Sequence, residues 1–103
     1  VGVAAGAAGA RMRYAARKDT THNAIVRELR AVGARVHETY QHPKMLDVLV
    51  AYRGRLFWAD LKTGNAGLTP DEQAIFDDFA AVGVVLHIWR TPDEALRAIG
   101  AIS

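Results

Sequence analysis

The hydrophobic pattern of the chain contains four apolar segments of six or seven residues and three segments whose apolar positions recur at helical spacing. The four apolar segments are rich in valine, leucine and aromatic residues and predict strands at residues 35–40, 46–52, 55–61 and 84–89. The other three predict helices that follow caps at Thr20 or Thr21, at Thr69, and at Thr91. The predicted order of elements is αβββαβα.

The second and third predicted strands are joined by Arg53-Gly54, which is typical of a two-residue hairpin turn. With that loop, the residue numbers of every cross-strand pair add up to 107, so that Asp47 lies directly opposite Asp60. Lys62 points to the same face as Asp60, because side chains of a strand alternate with a period of two. The sequence therefore predicts two carboxylates and one ammonium group on one face of the hairpin.

Two aspartates directly opposite each other destabilise an antiparallel pair, because their like charges lie about 5 Å apart. A divalent cation removes that repulsion, since Mg²⁺ binds through one or two carboxylates. We therefore interpret Asp47 and Asp60 as a metal site. Two alternatives stay open: the aspartates are edge residues kept apart by solvent, or a bulge turns one of them to the other face.

The predicted fold class is α/β. A helix joins the third and fourth strands, so these two are expected to pair in parallel. Both faces of the hairpin are apolar, which favours a mixed sheet with helices on both faces. The last strand is expected to be covered on both faces, and the helix before it to bury an apolar stripe formed by Ile75, Phe76, Phe79 and Val82.

Composition narrows the class of protein. Half of the 103 residues are hydrophobic, which indicates one globular domain, and there is no cysteine for a disulfide or a thiolate zinc site. No apolar run approaches the ~20 residues of a membrane helix. We expect residues 17–103 to form the domain and residues 1–16 to be a basic N-terminus that is poorly ordered or foreign to the natural protein. The expected natural start is Met12, and the residues before it would be foreign or come from an upstream reading frame.

Positive charge is concentrated in the first part of the chain. Residues 11–62 carry eleven Lys/Arg and five Asp/Glu, whereas the rest of the chain carries two and six. A basic half beside a metal site suits a polyanion such as nucleic acid. Ordinary surface charge is the alternative.

The stretch LDVLVAYRGRLFWADLK, residues 46–62, resembles the metal motif of the PD-(D/E)xK nucleases. In that family an Asp on the second strand, an Asp or Glu on the third, and a Lys two residues later form the active site of a restriction-endonuclease-like αβββαβ core. RKDTTHNAIVRELRAVGARV, LTPDEQAIF and RTPDEALRAI resemble small VRR-NUC and phage Holliday-junction-resolvase proteins.

The resemblance implies a role for five residues. Asp47 and Asp60 would bind Mg²⁺ or Mn²⁺, with the backbone carbonyl of Leu61 as a further ligand. Lys62 would orient or activate the attacking water, and Gln73 would contact that water or a phosphate. The implied function is a metal-dependent, structure-selective DNA endonuclease, acting as a homodimer on branched or duplex DNA in the cytoplasm of a bacterial or phage-infected cell, near the nucleoid.

Further DNA contacts would come from Arg17, Lys18, His42 and Lys44. The alternative is that Arg17 and Lys18 belong to a frayed terminus and that His42 and Lys44 lie in a solvated loop. The first helix departs from the family pattern, since Ala24 stands where relatives often carry a metal-binding Glu. Glu28 is a substitute one turn on, or an exposed partner of nearby arginines. The alternative functions are therefore a catalytically weakened DNA-binding module, and a flap or restriction-type nuclease.

Overall fold

The computed structural model describes the backbone of residues 9–39 and 45–103, and the side chains of residues 20–39 and 45–103. Its helices are α1 (Gly9–Ala31), α2 (Pro70–Ala80) and α3 (Pro92–Ile99). Its strands are β1 (Arg35–Glu38), β2 (Val48–Tyr52), β3 (Arg55–Leu61) and β4 (His87–Trp89), which form one mixed sheet in the order β1-β2-β3-β4. The predicted α/β fold, with an αβββαβ core and a C-terminal helix, is confirmed.

The predicted hairpin and its register are confirmed. Tyr52 pairs with Arg55 at the turn, and Val48 pairs with Ala59 at the far end, so that each pair adds up to 107. Arg53 and Gly54 have φ angles of 48° and 78°. These two positive φ angles are those of a type I′ turn, whose twist matches the twist of the flanking strands.

The core lies on the face of the sheet that carries Val48, Val50, Phe57 and Ala59. Helix α1 packs Ile25 and Leu29, both fully buried, against this face, as its apolar stripe predicts. Helix α3 adds Ala95, Leu96 and Ile99. Trp89 of β4, paired in parallel with Leu61, closes the same core.

Helix α2 covers the opposite face only in part. None of its residues is buried, although Phe79 makes an edge contact with Trp58 at 5.4 Å between ring centroids. The prediction that α2 buries Ile75, Phe76, Phe79 and Val82 is therefore wrong, and Val82 is 78% exposed. We call the surface left beside α2 the open face, and its lining residues are Met45, Leu49, Leu56, Trp58, Phe79, Val84, Val85 and Leu86.

The strand predicted at residues 84–89 is shorter than expected. Only His87–Trp89 pairs with β3, and Val84 and Val85 are exposed. The apolar run indicated a strand covered on both faces, and that prediction is wrong for its first half. A run of apolar residues does not distinguish a buried strand from an apolar surface, and the incomplete cover by α2 leaves such a surface here.

Helix α1 begins well before its expected cap. It starts at Gly9, so that Thr20 and Thr21 lie inside the helix, and the predicted start is wrong. The helix includes residues 9–16, which we expected to be poorly ordered, and residues 1–8 lie outside the described residues. Alanine and arginine are strong helix formers, so residues 10–17 extend the helix without an apolar stripe.

The caps of the other two helices follow their sequence signatures. Thr69 Oγ1 accepts a hydrogen bond from the Glu72 amide, and Thr91 Oγ1 accepts one from the Glu94 amide. Glu72 completes a capping box by accepting from the Thr69 amide. Within the described ranges 9–39 and 45–103, no helix is both long and apolar enough to cross a membrane.

Candidate metal and catalytic site

Two aspartates and a lysine come together where β2 begins and β3 ends. Asp60 is in β3, Asp47 directly precedes β2, and Lys62 directly follows β3. All three are buried, with 1%, 5% and 8% of their surfaces exposed, respectively. Ionisable side chains are seldom buried unless they are paired or bind a cation. The three predicted residues therefore form one buried polar cluster beside the open face.

Asp47 is fixed by the backbone on both sides. Its Oδ2 accepts a 2.7 Å hydrogen bond from the amide of Leu61. Its own carbonyl accepts a 2.7 Å hydrogen bond from the amide of Thr39. The two bonds hold the Asp47 side chain against the end of β3, although the residue lies just outside β2. The bulge and the solvent-separated arrangement that the sequence left open are therefore not the arrangement observed.

Asp60 has a carboxylate oxygen that the described residues do not satisfy. Among the residues that the structure describes, Oδ1 accepts no hydrogen bond, and Oδ2 has the Lys62 ammonium as its partner, at 2.8 Å from Nζ. Burial raises the pKa of Asp60 to about 7, and the charge and hydrogen bond of Asp47 add to this rise against the opposing effect of Lys62. A buried carboxylate with one oxygen left without a partner among the described residues is a ready ligand for a hard cation.

The Lys62 ammonium lies between two carboxylates. Its Nζ is 2.8 Å from Asp60 Oδ2 and 2.8 Å from Glu72 Oε1. Burial lowers the pKa of Lys62, but the hydrogen bonds that the ammonium donates to Asp60 and Glu72 outweigh burial and raise the pKa above its ordinary value. Lys62 is therefore protonated at neutral pH, and its chemical contribution is a fixed positive charge and a hydrogen-bond donor.

Glu72 is the member of the cluster that sequence reasoning missed. The sequence identified it only as the acid of the α2 capping box, and it has that role too, since its Oε1 accepts from the Thr69 amide at 2.8 Å. Burial raises the pKa of Glu72, but the hydrogen bonds from Lys62 and Thr69 lower it to a net value below the ordinary one. The sequence does show that Glu72 lies in the first turn of the helix that follows Lys62. It does not show where α2 lies over the sheet, so the contact with Lys62 could not be predicted.

The loop that connects β3 to α2 is held by Arg90. One guanidinium nitrogen of Arg90 donates to the carbonyls of Gly64 and Ala66, at 2.9 and 2.7 Å. These two bonds join the loop to the residue that follows β4. Because the loop runs from Lys62 to Thr69, Arg90 helps to fix the distance between the lysine and the start of α2.

The remaining predicted site residues lie away from the cluster, or their side chains are not among those that the structure describes. Gln73 donates to Asp77 at 2.9 Å along the exposed side of α2, and the structure does not bring it to the cluster. Glu28 lies 3.8 Å from Arg27, as its alternative interpretation expects. Arg17 and Lys18 are in α1 without described side chains, and His42 and Lys44 lie outside the described residues.

The donor set fits a hard divalent cation of the Mg²⁺ type. Asp47 and Asp60 supply carboxylate oxygens, and the Leu61 carbonyl is expected on the same side as its amide, which faces Asp47. Among the residues that the structure describes, no group of three or more His, Cys, Asp or Glu side chains gathers as a metal site. Two carboxylates with a carbonyl suit Mg²⁺, which keeps several waters, better than they suit zinc.

Comparisons of the chain with protein-family models, with curated proteins and with solved structures give no match. The functional argument therefore depends on the geometry of the cluster and on the sequence motif.

Proposed function

We propose that this chain is a metal-dependent DNA endonuclease that hydrolyses phosphodiester bonds, with branched DNA as its preferred substrate. The observation that carries the proposal is the buried Asp60 carboxylate, with Asp47 beside it, Lys62 Nζ at 2.8 Å from its Oδ2, and an Oδ1 that has no partner among the described residues. A buried carboxylate whose pKa is raised to about 7 is typical of functional sites, which supports the proposal.

The chemistry of the cluster suits phosphodiester hydrolysis. Asp47 and Asp60 would hold Mg²⁺ or Mn²⁺ together with the Leu61 carbonyl. When bound, such a cation lowers the pKa of its water and polarises a phosphoryl oxygen. Lys62 stays protonated, so it stabilises negative charge on the phosphate or orients the water through its N–H groups. The excess of Lys and Arg in residues 11–62 supports a polyanionic substrate.

The test is cleavage of an end-labelled four-way junction, compared with linear duplex and single-stranded DNA. Reactions contain Mg²⁺, Mn²⁺ or EDTA. We expect cuts near the branch point with either metal and none with EDTA, and we expect Asp60→Ala and Lys62→Ala to abolish them. Asp78→Ala, an exposed aspartate on α2, is the matched control and keeps full activity. Cleavage that survives both Asp60→Ala and Lys62→Ala would eliminate the proposal.

A second candidate function is DNA binding without turnover. It is favoured by Ala24, which offers no carboxylate where the resembled nucleases often carry one, and by Glu28, whose ion-pair partner is Arg27. This candidate expects salt-dependent binding of the junction with no metal-dependent cleavage. The same panel of substrates, read by gel shift and by cleavage, distinguishes the two functions.

We also propose that the protein acts as a homodimer that joins through the open face. Leu56 is 71% and Val85 is 77% exposed, and the groove between them has a volume of about 340 Å³. None of the described residues that line it is charged, so the groove suits an apolar protein surface better than a phosphate backbone. Leu56 and Asp60 share one face of β3, so a two-fold contact through this face would hold the two candidate sites near the interface, related by the two-fold axis.

The oligomeric state in solution tests this part of the proposal. We expect sedimentation equilibrium to report a concentration-dependent dimer for the native chain and a monomer for Leu56→Asp and Val85→Asp. Ile102→Asp changes an exposed apolar residue outside the open face, at 39% exposure, and is expected to leave the dimer intact. A native chain that stays monomeric at all concentrations would contradict the dimer while leaving the proposed chemistry in place.

A further inference from the structure

Glu72 connects the lysine of the candidate site to the start of helix α2. Its Oε1 is 2.8 Å from Lys62 Nζ and also accepts a 2.8 Å hydrogen bond from the Thr69 amide. The Thr69 hydroxyl in turn accepts from the Glu72 amide. The carboxylate is therefore fixed by the helix cap, and it does not depend on Lys62 for its position.

Lys62 has two anionic partners, and only one of them is a candidate metal ligand. The ammonium lies 2.8 Å from Asp60 Oδ2, so it occupies an oxygen that a cation at Asp60 would use. If Asp60 were the only partner, the lysine and the cation would compete directly for that carboxylate. Glu72 gives the ammonium a second acceptor on the side of α2, away from β3.

We propose that Glu72 is a positioning residue that retains the Lys62 ammonium, so that Asp60 is available to a divalent cation while the lysine stays beside it. The inference deepens the proposed function and rests on it, because it assigns a role toward the metal that the nuclease would use. It gives Glu72 a task beyond its place in the capping box.

Glu72→Gln separates this task from the helix cap. Glutamine also serves at this position of a capping box, so α2 keeps its N-terminus, while the charge that attracts Lys62 is lost. We expect Lys62 to pair with Asp60 more tightly in the variant. The Kd for Mn²⁺, measured by isothermal titration calorimetry on the full chain without DNA, is then expected to rise about 10-fold.

Loss of a negative charge near the site would also weaken cation binding by simple electrostatics, and Asp71→Asn controls for that effect. Asp71 is the neighbouring residue of α2, it is exposed, and it carries the same charge. We expect Asp71→Asn to change the Kd less than 2-fold. An equal loss in Glu72→Gln and Asp71→Asn would overturn the inference.

A double-mutant cycle with Lys62→Met tests whether Glu72 acts through the lysine. If it does, Glu72→Gln has little effect on the Kd for Mn²⁺ once Lys62 is absent. An effect of the same size in both backgrounds, or an unchanged Kd in Glu72→Gln alone, overturns this inference and leaves the metal site intact. A native chain that binds no Mn²⁺ overturns the proposed function together with the inference.

Discussion

The amide of Leu61 donates a 2.7 Å hydrogen bond to Oδ2 of Asp47, which fastens the end of β3 to the residue that precedes β2. Both groups are buried, so neither has water as a substitute partner. Asp47 is a proposed metal ligand, and its hydrogen bond also fastens the open end of the hairpin. This double role gives different expectations for two substitutions at the same position.

Asp47→Ala is expected to lower the free energy of unfolding by about 1–3 kcal/mol, because the buried Leu61 amide loses its acceptor. Asp47→Asn keeps a carbonyl oxygen in place of Oδ2 and removes the charge that faces Asp60, so its loss is expected to be smaller. Urea denaturation of the two variants in EDTA measures the difference. Equal destabilisation by alanine and asparagine would show that the hydrogen bond does not stabilise the fold.

Asp60 is expected to make the metal-free protein less stable as the pH rises. Its pKa is raised from 3.8 to about 7 in the fold, mainly by burial, so the folded chain holds a proton that the unfolded chain has released. Its contribution to stability is full below pH 4, falls as the pH rises toward 7 and is lost above that, a change on the order of a few kcal/mol.

Asp60→Asn removes this dependence. We therefore expect the variant to be more stable than the native chain at pH 8 in EDTA, and its advantage to shrink at pH 5. Adding 10 mM Mg²⁺, roughly a saturating amount for a site with sub-millimolar Kd, should stabilise the native chain alone. Thermal unfolding at the two pH values checks the result, and a native chain more stable than Asp60→Asn at pH 8 without metal would contradict it.

The hairpin and its register were predictable because they depend on local chemistry. Arg53-Gly54 specifies a two-residue turn, and the turn fixes which residues pair, including those beside Asp47 and Asp60. The caps at Thr69 and Thr91 are equally local. The contact between Glu72 and Lys62 was not predictable, because it depends on where α2 lies over the sheet.

The cover of the sheet by α2 could not be predicted from its apolar stripe. The stripe of Ile75, Phe76 and Phe79 indicates which side of the helix is apolar, but not whether another surface of the same molecule covers it. In the structure Phe79 contacts Trp58, whereas Val82 and Val85 remain exposed. An apolar stripe is equally consistent with burial in the core and with contact to another molecule. At the open face the core does not cover it.

Arg90 is expected to restrain the loop between Lys62 and α2. Arg90→Ala removes two hydrogen bonds to the carbonyls of Gly64 and Ala66. We expect faster amide hydrogen exchange across residues 63–68, with unchanged exchange in β2 and β3. Arg90→Lys keeps the charge and several N–H donors but on a flexible side chain, so its exchange should lie between those of the native chain and the alanine variant. Unchanged exchange in Arg90→Ala would show that the loop is held by other contacts.

Gly54 tests the turn on which the register of the site depends. Its φ of 78° is in the left-handed region, where a Cβ is unfavourable even though the space around it is open. Gly54→Ala is therefore expected to lower the free energy of unfolding by about 1–2 kcal/mol. Gly54→Asn should lose less, because asparagine tolerates this conformation better.

Gly67→Ala is the matched control for that strain. Gly67 also has open space around it, and its φ lies outside the left-handed region. Alanine there restricts the unfolded chain without straining the fold, so the variant should be unchanged or up to about 1 kcal/mol more stable. The two alanine variants thus differ in the sign of their effect in one denaturation series. Equal effects at the two glycines would mean that the turn does not impose the φ angle, and the register that brings Asp47 to Asp60 would then need another cause.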